Sequence, residues 1–183
     1  TPYLYQGEEI GMRDISLERS ELRDPVGIKY FPFNKGRDGC RSPMQWDGGE
    51  FAGFSSIQPW LKVHPNHVSR NVENQLQDAN SLLNFYRKLL HLRKVNPALQ
   101  RGMFQPITYE PRRLLAYLRQ DNSDTVLVAL NFGRRKVRLM LGDTLLHRRW
   151  ELLLSSKNRT ISGIQDRWLP LEGEEVCILK CRT

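Results

Sequence analysis

Around Gly102 the hydrophobic repeat of this chain changes from helical steps to steps of two, so no single class of secondary structure accounts for it. Before the change, Leu82, Phe85, Tyr86, Leu89 and Leu92 recur three and four residues apart, with Arg87, Lys88, His91 and Lys94 on most of the opposite side. This spacing predicts an amphipathic helix with a buried stripe, capped by Asn80 or Ser81 and stopped at Asn96-Pro97. After the change, residues 113–119, 125–131, 136–141, 150–154 and 176–180 read as strands, broken at Asp121-Asn122, Gly133, Gly142-Asp143 and Gly173. Short strands at such spacing predict a small antiparallel β-sandwich. Trp150 and Trp168 are expected to fill its interior, or else to lie at the surface as flat binding platforms.

The region before the helix is of another kind. Pro2-Tyr3-Leu4-Tyr5 is short, apolar and aromatic, and gives way at once to Gly7-Glu8-Glu9. That is the pattern of a parallel strand buried on both faces and ending where polar residues meet solvent. Residues 13–78 then hold no sustained period and are rich in Pro, Gly, Asn and Asp, with turn signals at Asp24-Pro25, Phe31-Pro32, Asp47-Gly48-Gly49 and Pro65-Asn66. Loops of that length are uncommon unless they carry function.

Size and composition narrow the field. A chain of 183 residues can bury one good core or two small ones. Its mean hydropathy of -0.55 reads as a water-soluble globular chain, and no apolar run approaches the roughly 20 residues of a membrane span. The net charge of +8 is uneven: residues 1–99 hold 13 Lys/Arg against 11 Asp/Glu, and residues 100–183 hold 15 against 9. The excess clusters at Arg134-Arg135-Lys136, Arg138 and Arg148-Arg149. A basic surface attracts nucleic acid through counterion release. Here no nucleic-acid motif and no interleaved aromatic residue accompanies it, so a solvated face and no nucleic-acid partner are expected.

Cys40, Cys177 and Cys181 are odd in number and lack paired or zinc-ligand spacing, which predicts free thiols in a reducing cytoplasm. His64 and His67 flank Pro65-Asn66 in a turn, an arrangement that gives little reason to expect a metal site, and no cofactor is expected. Asn158-Arg159-Thr160 matches a glycosylation acceptor that a cytoplasmic chain would not use.

Five stretches are more specific than composition. Residues 1–12 read TPYLYQGEEIGM and residues 36–47 read GRDGCRSPMQWD. Between them lies Asp24-Pro25-Val26-Gly27 with Tyr30-Phe31-Pro32, counted as one; after them come Pro59-Trp60-Leu61 and SLLNFYRKLLHLR at 81–93. In this order they resemble the C-terminal end of α-glucosidases of the α-amylase superfamily, related to oligo-1,6-glucosidases and trehalose synthases. The resemblance implies an α/β plus all-β chain. Residues 1–99 would be the eighth strand, long loop and eighth helix of a (β/α)8 barrel, and residues 100–183 a C-terminal antiparallel β-sandwich domain. A whole barrel takes roughly 250 residues, so the resemblance implies the tail of a longer enzyme. Mild departures are Ser42 where Thr is usual, and Gln45, which some relatives replace.

The implied activity is retaining, exo-acting release of glucose from α-linked sugars, maltose-like or sucrose-like. Its nucleophile and acid/base carboxylates stand roughly 5 Å apart, and the resemblance puts both on earlier barrel strands. It therefore assigns no catalytic residue here and implies a chain that is inactive by itself. The local acids agree: Glu8 and Glu9, adjacent at a strand end, leave on opposite sides of the pleat, and Asp38, Asp47 and Glu50 have no partner fixed at that distance.

By resemblance Arg41, in the run Arg-Ser-Pro-Met-Gln-Trp, binds the nonreducing-end glucose, a task that suits the planar guanidinium fork. The alternative is an arginine that ties the loop down, for which Arg37 is also available. Met44 and Trp46 wall the pocket or pack inside the loop, and Glu8 and Glu9 reach the site edge or form a rim salt bridge. The competing reading, of a different class, is a non-catalytic carbohydrate-binding or scaffold module.

Overall fold

The computed structural model describes residues 2–110, 113–146, 148–157, 159, 164 and 167–182, so Asn158 and Thr160 of the glycosylation match lie outside the described residues. The chain forms two compact units, Thr1–Arg87 and Lys88–Thr183.

In the first unit the expected opening strand is not formed. Residues 2–5 carry no ladder, and Tyr3, Leu4 and Tyr5 are exposed, Tyr3 at 92%. A strand is completed by neighbours that take its N–H and C=O groups, and none of the described residues of this unit is in a strand. Glu8 and Glu9 accordingly fall in a 3-10 turn, Glu8–Ile10, instead of at a strand end.

The stretch without hydrophobic period contains short helices that capping residues explain. In α1, Pro25–Tyr30, the Asp24 carboxylate accepts the Val26 N–H at 2.9 Å and Pro25 takes the first turn, where its missing N–H costs nothing. In α2, Val72–Gln77, Asn71 accepts the Asn74 N–H at 2.7 Å. Helices this short span too few turns to show a period. Ile15, Leu17, Leu22 and Leu61 form a small core under them.

Helix α3, Leu82–Val95, starts where its spacing predicts, and Ser81 is its cap, accepting the Asn84 N–H at 3.2 Å. Its stripe is not the buried core expected: no residue of α3 is buried, and Leu82 is 40% exposed. A stripe is covered only where an apolar surface faces it. In the second unit that surface meets Leu89 and Leu92, which pack on Ala98, Leu99, Val126, Val128 and Ile178. Asn96-Pro97 does end the helix, and it also begins α4, Pro97–Arg101, with the Asn96 side chain accepting the Leu99 N–H at 3.3 Å.

The second unit continues as strands β1 (Met103–Glu110), β2 (Leu114–Gln120), β3 (Thr125–Asn131), β4 (Val137–Met140), helix α5 (Asp143–Leu146), then β5 (Arg149–Ser155), β6 (Trp168–Leu171) and β7 (Val176–Arg182). They form two antiparallel sheets, β1-β2-β3-β7-β5 and β4-β6. Strand β3 is buried on both faces. Leu127 and Ala129 enter a core with Leu139, Leu169 and Leu171, while Val126 and Val128 face the core that α4 supplies. That double burial is why β3 reads as an unbroken apolar run.

Two strands escape the two-residue pattern, and proline explains both. Pro106 sits in β1 beside a bulge between Pro106 and Thr108, which an edge strand tolerates, and Pro170 sits in the four-residue β6. Trp150 is interior, its indole N–H donating to the Leu145 carbonyl at 3.1 Å. Trp168 is not: Leu169 and Leu171 take the inward positions, so alternation turns Trp168 outward, 40% exposed and opposite Met140. Among the described residues no helix is long and apolar enough to cross a membrane.

Candidate functional site

The run 36–47 is held by two carboxylates that bind backbone. Asp38, at 1% exposure, accepts the N–H groups of Arg23 and Asp24 at 2.6 and 2.7 Å. Asp24 in turn accepts the Arg37 N–H at 2.9 Å and lies 3.5 Å from the Arg37 Nε. The Arg37 N–H foremost, then that of Val26, holds the Asp24 carboxyl below the usual carboxylate range. This approach requires glycine at 36, where φ is +68° and a Cβ would stand 2.8 Å from the Asp24 carboxyl carbon. Arg37 thus ties the loop.

The second half of the run is anchored from behind. Gln45 is fully buried, its side-chain amide donating to Asn66 Oδ1 at 3.2 Å and to the Arg70 carbonyl, and its backbone carbonyl accepts the Val72 N–H at 3.0 Å. With Pro43 and Met44 also buried, the 3-10 turn Asp38–Arg41 is fixed at both ends.

Arg41 lines an open cleft of about 350 Å³ within the first unit, together with Tyr5, Met12, Met44, Phe54 and Trp60. Its guanidinium is exposed and makes no hydrogen bond or ion pair among the described residues. Tyr5 reaches the loop through its hydroxyl, which donates to the Cys40 carbonyl at 3.2 Å and approaches the Cys40 Sγ at 3.8 Å. The contact with the Cys40 thiol, foremost, raises the phenol above the usual tyrosine range; Asp14 adds to the rise and Arg41 opposes it. Met12 swings in because Gly7 permits it: φ there is +99°, and a Cβ would fall 2.6 Å from the Met12 sulfur.

The other residues singled out in the sequence lie elsewhere. Trp46 is 45% exposed and does not line the cleft, whereas Met44 does. Glu8 is exposed, and the Glu9 carboxylate folds back to accept the Gly7 N–H at 2.8 Å. Asp47 closes its own turn by accepting the Gly49 N–H at 2.8 Å, and Glu50 is exposed. The ring of His64 accepts the Asn66 N–H at 3.1 Å, and that of His67 lies 3.0 Å from the carbonyls of His64 and Gly49, so both brace the turn at 64–69. No carboxylate lines the cleft among the described residues. Its lining offers one cation, aromatic rings and thioethers, and no acid or base pair.

Tyr5, Met12, Phe54 and Trp60 carried no role in the sequence reading. The signal for Tyr5, Met12 and Trp60 was present, since all three sit inside segments that were specific as words before they were assigned a place.

Compared with known proteins, residues 1–102 match the family model of the alpha amylase catalytic domain. The chain belongs to the alpha-amylase family. Among curated relatives, this alpha-amylase family chain is 42% identical over 134 residues to a probable alpha-glucosidase of Rhizobium meliloti, covering 73% of itself and 24% of the relative. It is 36% identical over 174 residues to an oligo-1,6-glucosidase of Parageobacillus thermoglucosidasius, covering 85% and 31%. The crystal structure of trehalose-6-phosphate hydrolase from Bacillus licheniformis superposes with a TM-score of 0.88 at 28% identity, over all of this chain and 36% of that one. The chain therefore spans about a quarter to a third of the length of the curated relatives it matches.

Proposed function

We propose that this chain is the C-terminal part of a retaining, exo-acting α-glucosidase that releases glucose from α-linked di- and oligosaccharides, maltose-like or sucrose-like. Residues 1–99 contribute the last strand position, the long loop and the last helix of the (β/α)8 barrel, and residues 100–183 its β-sandwich. The family match over residues 1–102 supports that division. The observation that carries the reading is Arg41, a guanidinium without a partner among the described residues, in an aromatic-walled cleft. Its fixed fork of donors suits the hydroxyls of a terminal glucose, and the rings and thioethers suit the ring's apolar faces.

Catalysis needs two carboxylates roughly 5 Å apart across the glycosidic bond. The cleft offers none, so they come from a part of the barrel outside these residues, and the chain alone is inactive. The proposed location is cytoplasmic, with which the exposed Cys40 and the buried Cys177, neither in a disulfide, accord.

The test is hydrolysis of α-glucosides by the whole enzyme and by these 183 residues alone. Arg41→Lys lowers kcat/KM by about ten- to a hundredfold, because an ammonium replaces a charged bidentate donor. Hydrolysis by the isolated chain overturns the assignment of the chemistry to other residues. Maltose binding by the isolated chain at millimolar concentration, without hydrolysis, supports a carbohydrate-binding module instead.

A further inference from the structure

We propose that Trp60 is a sugar-stacking residue of this cleft, carrying the flat C–H face of the terminal pyranose while Arg41 takes its hydroxyl edge. The inference rests on the α-glucosidase reading and adds to it a second substrate contact. Trp60 is 60% exposed, and its indole N–H has no hydrogen-bond partner among the described residues. Exposure alone would mean little, since Trp46 is also exposed; Trp60 is the indole that lines the cleft with Arg41.

The second observation is how firmly the main chain beneath the ring is held. Leu61 is 2% exposed and packs with Ile15, Leu17 and Leu22. Lys62 then pairs with Glu21 at 2.9 Å, and Pro59 fixes φ on the other side. An apolar residue that faces solvent between three such constraints loses little conformational freedom on binding, which is the economy of a preorganised contact.

The chemistry selects the occupant. An indole face carries the negative part of the ring quadrupole, and one side of a glucopyranose presents C–H groups while its rim presents hydroxyls. A cleft of about 350 Å³ with one ring platform, one guanidinium and flanking Met12, Met44 and Phe54 matches a single sugar ring with one apolar face and a polar edge. A simple aliphatic ligand would leave Arg41 unused, and a phosphate or carboxylate would leave the indole unused.

The test compares Trp60→Phe with Trp60→Ala in the whole α-glucosidase. Trp60→Ala raises KM for α-glucosides about five- to tenfold with kcat within about threefold, whereas Trp60→Phe, which keeps a ring face, stays near the parent. Saturable quenching of tryptophan emission by glucose accompanies this in the parent and is lost in both variants. An unchanged KM in Trp60→Ala overturns the inference and leaves the α-glucosidase reading standing. Equal defects in Trp60→Phe and Trp60→Ala also overturn it, since a ring platform would separate them. Absence of α-glucoside hydrolysis in the unsubstituted enzyme overturns the functional reading and this inference together.

Discussion

Removing the Glu175 carboxylate should destabilise the second unit far more than any single methyl deletion in its core. Glu175 is fully buried at the entry to β7, where it accepts the Ser155 hydroxyl and the Glu172 N–H at 2.7 Å each. The Nε of Arg159 lies 2.8 Å from the same carboxylate, with the arginine side chain 19% exposed. Glu175→Ala leaves a guanidinium that is four-fifths buried without its paired carboxylate, a loss of about 3 kcal/mol at the lower end for broken buried pairs. The two orphaned donors are partly reached by water and add at most about 1 kcal/mol together. A total of about 3–4 kcal/mol corresponds to a several-hundredfold fall in the hydrogen-exchange protection of β3 and β7 amides, and to roughly 15 °C or more in the melting of this unit. Removing both charges in Glu175→Leu/Arg159→Leu should recover most of the loss, because the desolvation of the ion pair disappears with it. A single-mutant cost below about 1 kcal/mol, or strictly additive effects in the double mutant, would refute the claim that the pair is coupled.

Two further outcomes are expected in solution. The folded-state pKa of Asp24 is depressed, so its stabilising bonds to the Arg37 and Val26 N–H groups are fully present above the unfolded value of 3.8. They are lost as pH falls below that value and through the lower folded value. Asp24→Asn should remove that acid-side dependence, read from amide shifts of α1 in a pH titration. The Cys177 thiol is pushed up to about 11, chiefly by burial, whereas Cys40 is exposed. A thiol reagent at pH 8 should therefore label Cys40 within minutes and Cys177 only on unfolding; equal rates in the native chain would contradict the burial.

The legible parts of this fold were those in which one local rule acts alone. The start of α3 follows from a hydroxyl beside a periodic run, and β3 from five apolar residues in a row. The turn between β2 and β3 follows from Asp121, whose carboxylate accepts the Ser123 and Asp124 N–H groups. What failed depended on partners. A strand at residues 2–5 and a buried stripe on α3 are correct readings of apolar pattern, but burial is a property of two surfaces and the pattern records one. Trp168 shows the same limit, since its outward aim is set by Leu169 and Leu171 claiming the core. The site divided similarly. Tyr5, Met12, Arg41, Met44 and Trp60 all sit in stretches that were specific as words, while Phe54 reaches the cleft through a turn that no periodicity encodes.

Strand β7 is made after β5, yet it separates β5 from β3 in the finished sheet. During synthesis β1, β2 and β3 can pair in the order they emerge, each with the strand just before it. β5 has no such neighbour: among the described residues its only partner is β7, and residues 156–175 must be translated first. For that interval β5 and the open side of β3 both present unsatisfied backbone to any other nascent chain nearby, the condition in which strands join the wrong molecule. The ribosome's pace over some twenty codons is thus a determinant of how much of this protein escapes aggregation, and slow codons there should lower its soluble yield without altering a single residue.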